Sequence, residues 1–253
     1  MIDIHSHILP GMDDGADELY DTVEMVKMAA KSGTKVMIAT PHCNIPDMYD
    51  NYFGDEYIKK YKMTVAAVKS EGIPVEIYPG MEAFGTEDLP RLIVSGKIMP
   101  LNQSRYILVE FPFDAEPEYL DYLLREISNV GAIPVVAHAE RYDCVQDNPH
   151  ICYIWQKKGY AVQVNKGSFE GKFGNHARRA AYRMLSHNLI TVVASDAHGY
   201  MRRTPYMNDI YMELSEDRSV EYMDILFREN PKRICMNQQI ARLEPIPFSR
   251  YEL

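Results

Sequence analysis

Nine side chains able to bind a metal are spread across the sequence: His5, His7, Asp14, His42, Glu82, Glu110, His138, Asp196 and His198. One residue separates His5 from His7, and in an extended segment positions two apart project to the same side. Both imidazoles can then reach one cation from the end of a single strand. The Asp13–Asp14 pair follows just beyond Pro10 and Gly11, which break the regular backbone. Five imidazoles and four carboxylates, with no thiolate among them, suit borderline to hard divalent ions. Nine donors exceed what one tetrahedral ion takes and match two or three ions that share carboxylates. Manganese or iron fits this mixture, with zinc or magnesium as alternatives.

These residues must be carried by something, and the periodicity of the chain says what. Ile2 and Ile4 flank Asp3 as a short strand. Further β-rich runs are KVMIAT (35–40), VEIYPG (75–80), RYILVE (105–110), IPVVAH (133–138), YAVQVN (160–165) and ITVVASDAH (190–198). Helical spacing fills the intervals, over 17–32, 55–71, 87–95, 116–129, 149–158 and 175–187. Two more helices, over 205–214 and 220–228, close the body. Strands alternating with helices indicate parallel βαβ units, about seven of them, in an α/β barrel. Eight of the nine donors fall at or just past the C-terminal end of a strand, and Asp14 lies in the first loop. In a parallel barrel those ends converge on one face, where such folds place their chemistry. His150, His176 and His187 fall in helical or loop surroundings and are expected to face solvent.

Composition narrows the field. At 253 residues, with 46% hydrophobic and 25% charged residues, the chain is an ordinary globular protein with ample material for a core. Its net charge of −9 argues against a nucleic-acid partner. No signal peptide and no membrane-spanning run stand out. Cys43, Cys144, Cys152 and Cys235 show no paired spacing, which points to reduced thiols and a cytoplasmic protein. No linker divides the chain. The expected organisation is one domain over residues 1–243 and an extended, proline-containing tail over 244–253, either docked or free.

DIHSHILPGMDDGA, ATPHC, GMEAF, LVEFP, AHAERY and ASDAHG resemble the motif series of the polymerase-and-histidinol-phosphatase (PHP) superfamily. More narrowly they resemble its CpsB/CapC branch, the manganese-dependent protein-tyrosine phosphatases of bacterial capsule and exopolysaccharide operons. The resemblance runs from Met1 to about Met207 and implies a distorted TIM-like (β/α)7 barrel, a single PHP domain, with three divalent metal ions. It would assign His5, His7, Glu82 and Asp196 to one ion. Glu82 would bridge to a second, shared with Glu110 and His138, while Asp14, His42 and His198 would hold the third. It also implies that Arg141 and Arg203 grip the substrate phosphate, a task suited to the guanidinium fork. Arg202 is adjacent, and the choice of Arg203 follows the family's spacing.

The implied reaction is hydrolysis of phosphotyrosine by a metal-activated hydroxide. The substrate would be a phosphotyrosine protein, the tail of a bacterial tyrosine autokinase that regulates capsule synthesis. Nothing in the sequence excludes self-association. A phenol leaves readily enough, with a pKa near 10, that no strong general acid is needed. Cysteine-based tyrosine-phosphatase chemistry is disfavoured, because none of the four cysteines has an arginine at the C-x5-R spacing. Cys43 reads as a packed thiol. Tyr49, Tyr52, Phe53, Phe111 and Phe113 are candidates for a slot around a phosphotyrosine ring. The competing expectations are a small-molecule phosphoesterase, such as a histidinol-phosphate phosphatase, and a non-catalytic metal-binding scaffold.

Overall fold

The computed structural model describes residues 1–249; residues 250–253 of the expected tail lie outside them. The first half runs β1 (Ile2–Ser6), α1 (Leu19–Lys31), β2 (Val36–Ala39), β3 (His42–Cys43), α2 (Asp55–Ser70), β4 (Glu76–Pro79), β5 (Glu82–Phe84), α3 (Leu89–Val94) and β6 (Tyr106–Glu110). Next come α4 (Pro117–Asn129), β7 (Ile133–Val136), α5 (Asp143–Asp147), α6 (His150–Lys158), β8 (Ala161–Asn165), α7 (Lys166–Phe169), α8 (Gly174–Ser186) and β9 (Val192–Ala194). The chain then forms α9 (Asn208–Leu214), α10 (Val220–Asp224), a π-helical turn (Ile225–Glu229) and α11 (Asn230–Cys235).

Two of the expected strands are each broken in two. Pro41 lacks an N–H and separates β2 from β3, while Gly80–Met81 separates β4 from β5. The upstream halves pair as β1-β2-β4 and the downstream halves lead β3-β5-β6-β7-β8-β9, all in parallel. Because β2 runs on into β3 and β4 into β5, the two sheets are one ring with seven strand positions. The backbone closes that ring: Asp196 N–H donates to His5 O at 2.9 Å, and His7 N–H to Ala197 O at 2.9 Å. The architecture is a distorted seven-unit α/β barrel. Gly80 marks a close crossing, since a Cβ there would stand 2.6 Å from Ile38 Cγ2.

The helices bury regular stripes against the outside of the ring. In α4 the buried positions are Leu120, Leu123, Leu124 and Ile127, spaced as one face of a 3.6-residue helix. Fully burying each such leucine contributes about 1.5–3 kcal/mol. A second cluster, including Ile4, Ile38, Leu108, Val135 and Val192, fills the ring and continues into Ile234 and Ile240. Tyr106 Oη, near the start of β6, donates to Gln238 O at 2.8 Å. The C-terminal segment thus packs against the N-terminal ends of the strands and leaves the opposite rim open.

The described part of the tail is docked. Ile246 N–H donates to His187 O at 2.8 Å, and Phe248 stacks on His187 with centroids 3.7 Å apart. This corrects the expectation for two histidines. His187 is buried beneath Phe248, and His150 is half-buried, stacked on Tyr153; only His176 faces solvent. Among the described residues no helix is long and apolar enough to cross a membrane.

Candidate active site

All nine expected donors meet at the open rim. β1 delivers His5 and, one step beyond its end, His7. His42 opens β3 and Glu82 opens β5, so the two strand breaks set those side chains at the mouth. Glu110 ends β6, His138 stands two residues past β7, and Asp196 and His198 follow β9. Asp14 reaches in from the first loop. Gly15 allows that loop to close: a Cβ there would lie 2.2 Å from His7 O. His138, Asp196 and Arg203 have φ of 33°, 50° and 47°. Left-handed backbone costs an L-residue roughly 1–2 kcal/mol, and such strain concentrates at functional sites.

His5 Nε2 lies 3.2 Å from His7 Nε2, 3.1 Å from Glu82 Oε2 and 3.4 Å from Asp196 Oδ1. His7 Nε2 lies 3.2 Å from the same Glu82 oxygen and 3.5 Å from the same Asp196 oxygen. Donors about 2.0–2.2 Å from an ion are separated by about 2.8–3.6 Å along octahedral or tetrahedral edges. These five separations have that spacing, and His5, His7 and Asp196 form one grouping of mutually close donors. A second grouping joins His42, Glu82 and Glu110, and a third joins His7, Asp14, His42 and His198. His42 spans the last two: its Nδ1 is 2.8 Å from Glu110 Oε1 and its Nε2 is 3.5 Å from Asp14 Oδ1. His138 Nε2 stands 3.0 Å from Glu82 Oε1 and 3.6 Å from Glu110 Oε2.

Several of these atoms are close without bonding. Buried Glu82 Oε2, Glu110 Oε1, His42 Nδ1 and His198 Nε2 have no hydrogen-bond partner. Buried polar atoms are normally paired, and leaving one unpaired costs about 1–3 kcal/mol. Here the unpaired atoms point at common centres, as cation ligands do. The charges agree. Burial alone would raise Glu82 and Asp196, yet the surrounding imidazoles, His5 first, hold both well below the usual carboxylate range; Arg203 also acts on Asp196. Burial opposes a proton on His42 and His138, but Glu82 and Glu110 lift them to about 10 and about 9. Protons on the rings balance the carboxylates here, and divalent ions can take their place. The donor set therefore fits divalent metal.

A surrounding layer fixes the rings. Asp13 Oδ2 lies 2.6 Å from His7 Nδ1 and accepts from the His42 N–H at 2.8 Å. The two aspartates of the pair thus divide their roles, Asp13 turned inward behind His7 and Asp14 reaching the rim. Asp3 accepts from the Ser195 N–H at 3.1 Å and from its hydroxyl, tying the start of β1 to the end of β9.

Above the donors lies a cleft of about 360 Å³. Arg141 closes a short 3-10 turn after His138, its N–H donating to His138 O at 2.9 Å, so the guanidinium returns over the site. That guanidinium lies between two rings, 4.2 Å from Phe113 and 4.4 Å from Phe173. Arg203 Nη2 is 2.5 Å from Asp196 Oδ2, and its guanidinium lies 5.6 Å from Phe173. Arg203 lines this cleft, whereas Arg202 is exposed and lines only the neighbouring groove.

The aromatic slot differs in membership from the expected one. Tyr49 stacks on His42 at 5.7 Å with a 10° interplanar angle, and Phe111 and Phe113 line the opposite wall. Tyr52 and Phe53 are not in it: Tyr52 Oη donates to Asn44 Oδ1 at 2.9 Å, and Phe53 packs edge-on to Tyr57. Phe84, Ile45 and Met48 line the cleft instead. Phe173, which seats both arginines, was not singled out in the sequence, where it is one aromatic in a polar loop. Cys43 is packed away, and burial pushes its thiol up to about 12. All four cysteines are free thiols.

An α/β barrel with a cluster of histidines and carboxylates on the C-terminal rim of its strands defines a class of metal-dependent hydrolase folds. Within it the chain belongs to the CpsB/CapC family of capsular polysaccharide synthesis, whose profile matches residues 1–236. It is 36% identical over 253 residues to the tyrosine-protein phosphatase YwqE of Bacillus subtilis, covering all of this chain and 98% of that one. It is 30% identical over 246 residues to the tyrosine-protein phosphatase CpsB of Streptococcus pneumoniae, covering 95% of this chain and all of that one. A solved structure from work on YwqE and CpsB, described as unique metal-dependent tyrosine phosphatases, superposes with a TM-score of 0.91 at 36% identity. That superposition covers 99% of this chain and 100% of the solved one.

Proposed function

We propose that this chain is a metal-dependent protein-tyrosine phosphatase, and that His5, His7, Asp14, His42, Glu82, Glu110, His138, Asp196 and His198 hold three divalent ions, manganese first among them. The observation that carries this reading is the set of buried, unpaired donor atoms beneath a cleft flanked by two guanidinium groups. Divalent ions held there supply acidified water and positive charge against phosphoryl oxygens. The chain's own residues do the rest. Arg141 and Arg203 fork onto the phosphate and offset the charge that spreads over its oxygens. Tyr49, Phe111 and Phe113 enclose the phenyl ring and so fix the direction in which the phosphorus–oxygen bond to be broken points. With a phenol as leaving group, no side chain need donate a proton strongly. The substrate we assign is a phosphotyrosine segment of a capsule-regulating tyrosine kinase, met in the cytoplasm, where four unpaired cysteines stay reduced.

Exhaustive chelation should abolish hydrolysis of a phosphotyrosine peptide, with manganese restoring it better than magnesium. Undiminished turnover after metal removal overturns the reading. So does a strong preference for histidinol phosphate over the peptide.

A further inference from the structure

Strand β8 sits between β7 and β9, yet it is the one strand position of the seven whose end carries none of the nine donors. Two of its inward residues are amides instead, Gln163 and Asn165, both fully buried. Amides in a barrel interior cost stability unless every polar atom is paired. These are paired, and their partners are the donors.

The chain of bonds can be read without ambiguity from one backbone group. The His138 N–H donates to Gln163 at 2.8 Å, so the accepting atom is the carbonyl oxygen Oε1. His5 Nδ1 lies 3.1 Å from that same oxygen. A bond there requires the proton on Nδ1, so in the neutral ring that a metal ion would bind Nε2 is bare and faces His7, Glu82 and Asp196. The other end of Gln163 is therefore its NH2, which donates to Asn165 Oδ1 at 2.8 Å. Asn165 in turn presents its NH2 to Asp196 Oδ2 at 2.5 Å. With Arg203 Nη2 on that oxygen as well, Oδ2 is fully engaged and Oδ1 is the one turned to the two imidazoles.

We propose that Gln163 and Asn165 are positioning residues of the metal centre: together they set the tautomer of His5, the seat of His138 and the facing oxygen of Asp196. This rests on the metal-centre reading above. Partners of this kind typically change metal affinity by 10–100-fold when removed.

The test is Mn2+ titration of the full chain, followed by calorimetry and electron paramagnetic resonance, for wild type, Gln163→Met and Gln163→Glu. Thermal unfolding of each metal-free protein is recorded alongside. Gln163→Met keeps the volume and removes the acceptor; it should bind Mn2+ about 10–100-fold more weakly while still unfolding cooperatively without metal, at a lowered temperature because the His138 N–H loses its partner. Gln163→Glu keeps an acceptor for both donors but gives up the NH2 that donates to Asn165 Oδ1, so it should recover part, and only part, of the affinity that Gln163→Met loses. Equal Mn2+ affinity in wild type and Gln163→Met overturns the proposal, as does an equal loss in both variants. Should Gln163→Met fail to fold, nitrogen NMR of the wild-type imidazoles decides: a His5 ring protonated on Nδ1 supports the proposal, and one protonated on Nε2 overturns it. A wild-type chain that takes up no Mn2+ removes the metal-centre reading itself. Equal affinities remove only the role of β8.

Discussion

Replacing Arg141 by alanine should separate the proposed phosphate binding from metal binding. The guanidinium is clamped between Phe113 and Phe173 and is pre-set as a fork, with a side chain 21% exposed. A unit charge about 4 Å from a phosphoryl oxygen is worth at most about 4 kcal/mol at an effective dielectric near 20. Charge-assisted hydrogen bonds net about 1.5–3 kcal/mol each. Allowing for partial solvent screening, Arg141→Ala should lower kcat/KM by about 10²-fold, or about 2.7 kcal/mol. Lysine restores charge but neither the fork nor the stacking, so Arg141→Lys should recover about a tenfold share of that loss. Metal content should not change, because Arg141 Nη1 stands 3.8 Å from Asp196 Oδ2 while Arg203 and Asn165 hold that oxygen at 2.5 Å. The assay is steady-state release of phosphate from a phosphotyrosine peptide, with elemental analysis of the same samples. Loss of bound metal in Arg141→Ala, or an unchanged kcat/KM, would refute the assignment.

Three further outcomes are expected. In the metal-free protein His42 and His138 are raised to about 10 and about 9, so the stability they contribute is complete below about pH 6.5 and is lost as pH rises through 9–10. Glu82 and Asp196 are depressed, so theirs is lost only as pH falls through their lowered range. The metal-loaded form should instead bind its ions more tightly as pH rises. Unfolding curves with and without chelator should therefore diverge above about pH 7, and parallel curves would contradict the electrostatics. Gly15→Ala places a Cβ 2.2 Å from His7 O and 2.4 Å from its Cβ; it should cost about 1–3 kcal/mol in denaturant unfolding and weaken Mn2+ binding. Tyr49→Ala removes a ring stacked on His42 at the cleft wall; it should raise KM for the peptide by about 3–10-fold and leave kcat within about twofold.

Much of this molecule was legible because its chemistry sits at ends of strands. A histidine or carboxylate closing an apolar run, as in LVE before Phe111 or VVAH before Ala139, declares both the strand and the rim it reaches. The strand breaks have no such signature. Pro41 was a visible signal, but an x-Pro after a β-run reads as a terminus, and only tertiary pairing shows that His42 resumes in a second sheet. Short elements such as α5 and α7 carry too few residues for a period. Gln163 and Asn165 are invisible for another reason: an amide inside an apolar strand has no spacing rule, and its meaning comes from donors 25 to 158 residues away. The burial of His187 was hidden similarly, since the ring that covers it belongs to a tail with no periodicity.

Closure of the ring between β1 and β9 has a consequence for biosynthesis. Asp196 and His198 emerge late, nearly two hundred residues after His5 and His7. A growing chain that has made six of the seven strand positions lacks the last two donors and the backbone bonds that seat the first two. On the proposed assignment, filling either grouping that includes Asp196 or His198 reports that the first and final strands have met.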